Sequence, residues 1–250
     1  MIRDVEIRDR ARRLGVDIEL IRKDHVLNHV LAAVAEIPSD VVFRGGTALS
    51  RVYWPDFRIS EDLDFLVEGK LAQATELVEQ AVGAAAERIG FDLLVEFNRL
   101  DADMVRALIG WGEVRLAVDL NRAERPALAI DRRELHLPYS DLSTDVRGIR
   151  VVALEEILAN KWYMLDDRKE PRDLFDLWSG ICLRAIPLDS VADAFRAKYR
   201  AKPRLWRIER ARKLEAAWEE RLGHQVGDLL PFRDVFGEIH ARVQAWEEDG

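Results

Sequence analysis

Two aspartates, Asp62 and Asp64, stand two residues apart in Asp62-Leu63-Asp64-Phe65-Leu66-Val67, a run that otherwise reads as a buried strand. Strand side chains alternate between faces, so both carboxylates project to one side while Leu63 and Phe65 project to the other. The same alternation in Arg115-Leu116-Ala117-Val118-Asp119-Leu120 buries Leu116, Val118 and Leu120 and turns Asp119 the opposite way, so a neighbouring strand offers a third carboxylate. Like charges held close together repel and raise each other's pKa, a costly arrangement unless a cation neutralises them. Mg2+, or Mn2+ in its place, suits such hard oxygen donors, and paired ions about 3.5 to 4 Å apart serve in-line phosphoryl or nucleotidyl displacement. Taken alone, the pair of acids equally fits two solvent-facing groups on a half-exposed sheet.

Upstream, the β-type run Val41-Val42-Phe43-Arg44 leads straight into Gly45-Gly46, where a helix carrying Leu49 and Tyr53 begins. Strand, Gly-Gly and helix in that order let backbone N–H groups approach an anion at the positive end of the helix, which makes a triphosphate cradle. The loop between the glycines and the acids carries Arg58 and Ser60, one charged and one neutral ligand for phosphate oxygens.

A third feature lies far downstream. On a helix from Leu154, Lys161 falls in the middle of the apolar stripe formed by Leu154, Ile157, Leu158 and Leu165, and Arg168 does too if the helix continues. A buried ammonium needs an anion, either a phosphate or a core acid. The next helix starts at Pro171 and buries Leu174, Leu177, Trp178 and Ile181; Asp173 borders that stripe and Asp176 points elsewhere.

The remaining elements organise around these. Helical patterns run from Asp17 to Pro38 and from Leu71 to Ile89, and strand patterns over Phe91–Phe97, Met104–Ile109 and Val114–Leu120. After Leu154 helices take over, so the 250 residues divide into an α/β part, 1–150, and a helical part, 151–250. With 46 Asp+Glu against 38 Lys+Arg the chain is not a polyanion binder as a whole. Nine basic residues between Arg196 and Lys213, interleaved with Tyr199 and Trp206 and opposed only by Glu209, reverse that balance locally. Phosphate neutralisation plus base stacking is one use of such a run, with Arg204, Arg207 and Arg210 as RNA contacts; a solvated helix face is the other. Cys182 is the only cysteine, no His/Cys cluster has zinc-like spacing, and Met1 to Arg13 is too charged for a secretory leader. The expected setting is cytoplasmic, with no membrane partner.

Gly45-Gly46-Thr47-Ala48-Leu49, Arg58-Ile59-Ser60-Glu61-Asp62-Leu63-Asp64-Phe65, Lys161, Arg168 and Pro171-Arg172-Asp173-Leu174-Phe175-Asp176-Leu177, in that order and spacing, resemble the AbiEii/AbiGii nucleotidyltransferase toxins of the DNA polymerase β-like superfamily. The resemblance implies an α/β (α+β) fold: a polymerase β-like mixed sheet with flanking helices, plus a C-terminal helical lobe. It implies the toxin of a bacterial toxin–antitoxin or abortive-infection pair, a Mg2+-dependent enzyme that takes an NTP and is neutralised by a cognate, winged-helix antitoxin. Asp62 and Asp64, with Asp119, become metal ligands; Gly45, Gly46, Thr47, Arg58, Ser60 and Arg168 become nucleotide contacts; Lys161 and Asp173 complete the catalytic site. Mycobacterial relatives add nucleotides to the 3′ end of tRNA, so transfer of NMP to tRNA is the leading expectation. Transfer to a protein, or a non-catalytic RNA-binding or regulatory module, are the alternatives. Many relatives carry a lysine two residues before the third acid, a position held here by Ala117.

Overall fold

The computed structural model describes residues 4–55, 57–142, 148–168, 170–204 and 208–249, without the side chains of 208–211 and 249. Its contacts divide the chain into two units, Met1–Pro126 with Ile130–Val152, and Ala127–Ala129 with Ala153–Gly250.

Unit 1 opens with α1 (Asp4–Leu14) and α2 (Ile18–Glu36). Asp17 caps α2, its carboxylate accepting from the Glu19 N–H at 2.7 Å, which satisfies a backbone donor that the helix leaves over. Then come β1 (Val41–Arg44), α3 (Gly45–Ala48) widening into a π-helical turn over Leu49–Tyr53, β2 (Asp62–Val67) and α4 (Leu71–Ile89). Strands β3 (Leu94–Arg99), β4 (Met104–Trp111), β5 (Val114–Asn121), β6 (Asp131–Arg133) and β7 (Ile149–Val151) complete it. Among the described residues the sheet order is β3-β4-β5-β2-β1-β7-β6. The pairs β2–β5 and β1–β7 are parallel and the other neighbours antiparallel.

The sheet's apolar side chains are fully buried at Phe43, Leu63, Phe65, Leu116, Val118 and Leu120. α4 buries Leu77, Val78, Ala81, Val82 and Ala85, the i, i+4 stripe that its sequence shows. α2 is buried along most of its length and carries polar groups inward. One of them, Asn28, accepts from Arg51 Nε at 2.8 Å, and Asp24 pairs with Arg51 Nη2. Tyr139 donates its hydroxyl to Asp24 at 2.6 Å. Arg51 sits in the π-helical turn, so this buried network fixes the segment that follows Gly45-Gly46.

Unit 2 contains α5 (Leu154–Asp167), α6 (Pro171–Trp178) continuing π-helically over Ser179–Leu183, α7 (Leu188–Tyr199), α8 (Ile208–Ala216), α9 (Trp218–Leu222) and α10 (Phe232–Asp249), with no strand among its described residues. Its core is aromatic: Phe175 packs on Trp178 and Trp218, and Trp218 on Phe232, at centroid separations of 5.6, 6.2 and 5.4 Å.

No described helix is long and apolar enough to cross a membrane. Two expectations about extent need correction. β3 begins at Leu94, not Phe91, and α5 stops at Asp167 with Arg168 as its C-cap, so Arg168 does not continue the stripe of Lys161.

Candidate active site

Register builds the acidic face. In the parallel pairing of β2 with β5, Asp64 lies opposite Asp119 and Asp62 opposite Ala117. Antiparallel partners extend the line on both sides, Arg44 of β1 against Asp64 and Arg106 of β4 against Asp119. Arg106, Asp119, Asp64 and Arg44 therefore form one row across four strands, with Asp62 one step along on the same face.

Arg106 grips Asp119 with both prongs, Nε and Nη2 each donating at 2.7 Å to a separate carboxylate oxygen. That hydrogen bond holds the Arg106 pKa above its ordinary value, against partial burial, and the charges of Asp119, Asp62 and Asp64 add to the effect in that order. Three carboxylates thus act on one guanidinium, which shows how concentrated the negative potential of this face is. At the far end of the row Arg44 donates to Glu124 at 2.8 Å.

The glycines stand directly against these groups. Gly45 has φ of +81°, a conformation that costs an L side chain strain, and a Cβ there would collide with the Asp64 carboxylate. On Gly46 a Cβ would come 2.5 Å from Arg58 Nη2 and 3.2 Å from Ser60 Oγ. The absence of side chains at both positions is what lets acid, guanidinium and hydroxyl close around the start of α3. Arg58 and Ser60 are both buried, and Arg58 Nη1 donates to the Ile59 carbonyl at 3.1 Å. Thr47 is fully buried, and its hydroxyl donates to the Asp62 carbonyl. Its side chain joins α3 to β2 and aligns the acids; it is not displayed on the surface.

Within unit 2, Lys161 is 7% exposed and reaches Asp173 at 3.0 Å and Asp176 at 2.8 Å, two carboxylates with no exposure at all. Arg168 adds two bonds of 2.8 Å to Asp173. Burial raises the Asp173 carboxyl, but the Lys161 charge and Arg168 outweigh it and hold it below the ordinary carboxylate range. The expectation that Asp176 points away from this cluster is corrected. Asp173 and Asp176 are i and i+3 on α6, so they share a face and both meet the lysine. The core-acid alternative for Lys161 is therefore present in the fold.

The basic run divides. Lys198 Nζ pairs with Glu156 at 3.0 Å, and Arg196 pairs with Asp193. Arg204 is exposed, with its carbonyl accepting from Trp162 Nε1 at 3.2 Å. Arg207 lies outside the described residues, as does the side chain of Arg210.

Residues 27–245 match the family model "Nucleotidyl transferase AbiEii toxin, Type IV TA system". The chain belongs to the AbiEii family. The toxin is a nucleotidyltransferase of a toxin–antitoxin system, and the family implies a cognate antitoxin partner. Its matched range contains the glycine pair, the acidic row and the Lys161 cluster. Two solved structures share the fold. MenT4, a nucleotidyltransferase toxin from Mycobacterium tuberculosis H37Rv, is 20% identical with a TM-score of 0.63, over 97% of this chain and 88% of that one. A protein from H. pylori assigned as a nucleotidyltransferase is 17% identical with a TM-score of 0.62, over 94% and 97%. Among curated proteins nothing matches the sequence.

Proposed function

We propose that the acidic face of unit 1 binds a nucleoside triphosphate together with Mg2+, or Mn2+ in its place, and that the toxin transfers the nucleotide to the 3′ end of tRNA, blocking translation in the cytoplasm. The observation that carries this reading is the alignment of Asp64 with Asp119, with Asp62 on the same face and Gly45 closed against Asp64. The candidate ligands on that face are carboxylates, hard oxygen donors that fit a divalent cation. When bound, the ion supplies charge neutralisation and Lewis acidity to the phosphates.

The chain's own residues then have distinct tasks. Asp62 and Asp64 hold the ion. Backbone N–H groups at Gly45 and Gly46, the Ser60 hydroxyl and the Arg58 guanidinium bind phosphate oxygens, with Thr47 keeping the helix start in place. The acceptor hydroxyl attacks the α-phosphorus, a new P–O bond forms, the bond to the β-phosphate oxygen breaks and pyrophosphate leaves. Asp119 would take the hydroxyl proton or serve as the third metal ligand; its two bonds from Arg106 leave lone pairs on both carboxylate oxygens for either task. The family resemblance also assigns Lys161, Arg168 and Asp173 to the phosphates and the catalytic site; their mutual bonds within unit 2 make Lys161 the residue to test. Arg204, Arg207 and Arg210 are the proposed RNA contacts, and the proposed antitoxin is a winged-helix protein.

Purified protein incubated with Mg2+, each labelled NTP in turn and total tRNA tests the reading. Label on tRNA, lost when Mg2+ is chelated, is expected. Label on protein would replace the acceptor, and no label with any NTP would leave a non-catalytic RNA-binding or regulatory module.

A further inference from the structure

A separate cluster of polar groups in unit 1 has no part in the acidic face. His25 and His29 lie one turn apart on α2 and share a face. Their Nε2 atoms are 3.1 Å from each other; His25 Nε2 is 3.1 and 3.2 Å from the two oxygens of Asp141, and His29 Nε2 is 3.5 Å from Asp141 Oδ2. Asp141 comes from a segment 116 positions away from His25. The i, i+4 histidine pair is legible on a helix, and its third member is brought in only by the fold.

No placement of protons turns this triangle into three hydrogen bonds. A carboxylate only accepts, so each ring would have to present Nε2–H to Asp141, and two N–H groups would then face each other. Moving either proton to Nδ1 sets that ring's bare Nε2 lone pair against the carboxylate instead. Burial first, and His25 second, push His29 down to about 4, so its ring is uncharged near neutrality. A cation at the centre removes the conflict, because two lone pairs and a carboxylate oxygen then address one positive charge. Ligand atoms about 2.0 to 2.2 Å from a tetrahedral Zn2+ are about 3.3 to 3.6 Å from one another. The observed separations of 3.1, 3.1 and 3.5 Å match those edges to within a few tenths of an ångström.

We propose that His25, His29 and Asp141 bind one divalent transition-metal ion, Zn2+ by its donor set, which fastens α2 to the segment around Tyr139 and Asp141. Three protein donors leave the fourth tetrahedral position to water, and the role assigned to the ion is to fasten these two segments. The residue after His25 is Val26, so the pair lacks the adjacent carboxylate base of a hydrolytic H-E-x-x-H helix, and the Tyr139 hydroxyl is already committed to Asp24. The position on α2 gives the ion leverage, since Asp24 and Asn28, the neighbouring register of the same helix, hold Arg51 behind the glycine pair.

The test uses the full chain, stripped with EDTA and dialysed. Added Co2+ is expected to give the intense visible bands of a tetrahedral site, Zn2+ to bleach them at one equivalent per chain, and Zn2+ to raise the unfolding midpoint. Asp62→Asn/Asp64→Asn is expected to leave all three intact, and His25→Gln/His29→Gln to abolish them. Should the histidine variant not fold, the Co2+ spectrum of the unmodified chain still decides. Absent bands and an unmoved midpoint would overturn the proposal, as would bands that disappear in the aspartate variant. None of these readouts depends on nucleotide transfer.

Discussion

Two charged clusters built from the same residue types behave in opposite ways. In unit 2, Lys161 is enclosed by Asp173 and Asp176, with Arg168 bonded to Asp173, and both acids are shut off from solvent. In unit 1, Asp62, Asp64 and Asp119 are only partly buried and spread along neighbouring strands, and the Arg106 side chain beside them is 45% exposed where Lys161 is 7%. Charge alone does not mark a place where ligands exchange. What separates the two clusters is whether water and a diffusing anion or cation can reach the carboxylates, and whether the counter-charge is fixed or displaceable.

Breaking the enclosed cluster should do the most damage to stability. Lys161→Met leaves two buried carboxylates against each other, and removing one member of a buried pair typically costs about 3 to 5 kcal/mol. Urea denaturation of the full chain checks this. An unmoved midpoint would mean that the lysine is not locked into the fold and would return it to a mobile, phosphate-binding role. The open cluster should show the inverse pattern. Asp62→Asn or Asp64→Asn removes like-charge repulsion along with attraction to Arg106, so the midpoint is expected to move far less than for Lys161→Met, while transfer of label falls about 100- to 1,000-fold through the loss of several kcal/mol of transition-state stabilisation. A midpoint that drops as for Lys161→Met would make the acidic face structural.

Acid sharpens the contrast. The folded Asp173 carboxyl titrates below its ordinary 3.8, so its contribution is fully present above that pH and is lost as pH falls from 3.8 through the lower folded value. Asp173→Asn should flatten stability against pH in that window, and an unchanged slope would reject the pairing. The smallest effect belongs to the basic run. Replacing Arg204, Arg207 and Arg210 with Gln should reduce the salt slope of RNA binding by about 0.7 per lost phosphate contact. An unchanged slope would leave the run as a solvated surface.

Much of this was legible before the fold. α4 occupies the predicted Leu71–Ile89, and the alternation in β2 and β5 places all three acids on one face because a period of two survives any detail of packing. The elements that escaped have physical reasons to. β6 and β7 are three residues each, too short to show a period, although β7 is paired on both sides within the sheet. α1 is polar overall and buries only Ile7, Arg10 and Ala11, so it lacks the apolar residues by which the other helices stand out. The pairing of Arg106 with Asp119 is not legible in the sequence, because cross-strand pairing joins residues through register, not through spacing along the chain. The same holds for Asp141 beside His25 and His29.

The row of Arg106, Asp119, Asp64 and Arg44 also makes folding its own inspector. A slip of one residue between β2 and β5 would turn Asp119 toward Leu63 and Phe65 and expel Leu120 from the interior, so the parity error that would scatter the acids would also break up the hydrophobic layer beneath them. The register that buries the hydrophobic layer is therefore also the register that aligns the carboxylates, and a chain cannot lose one without the other.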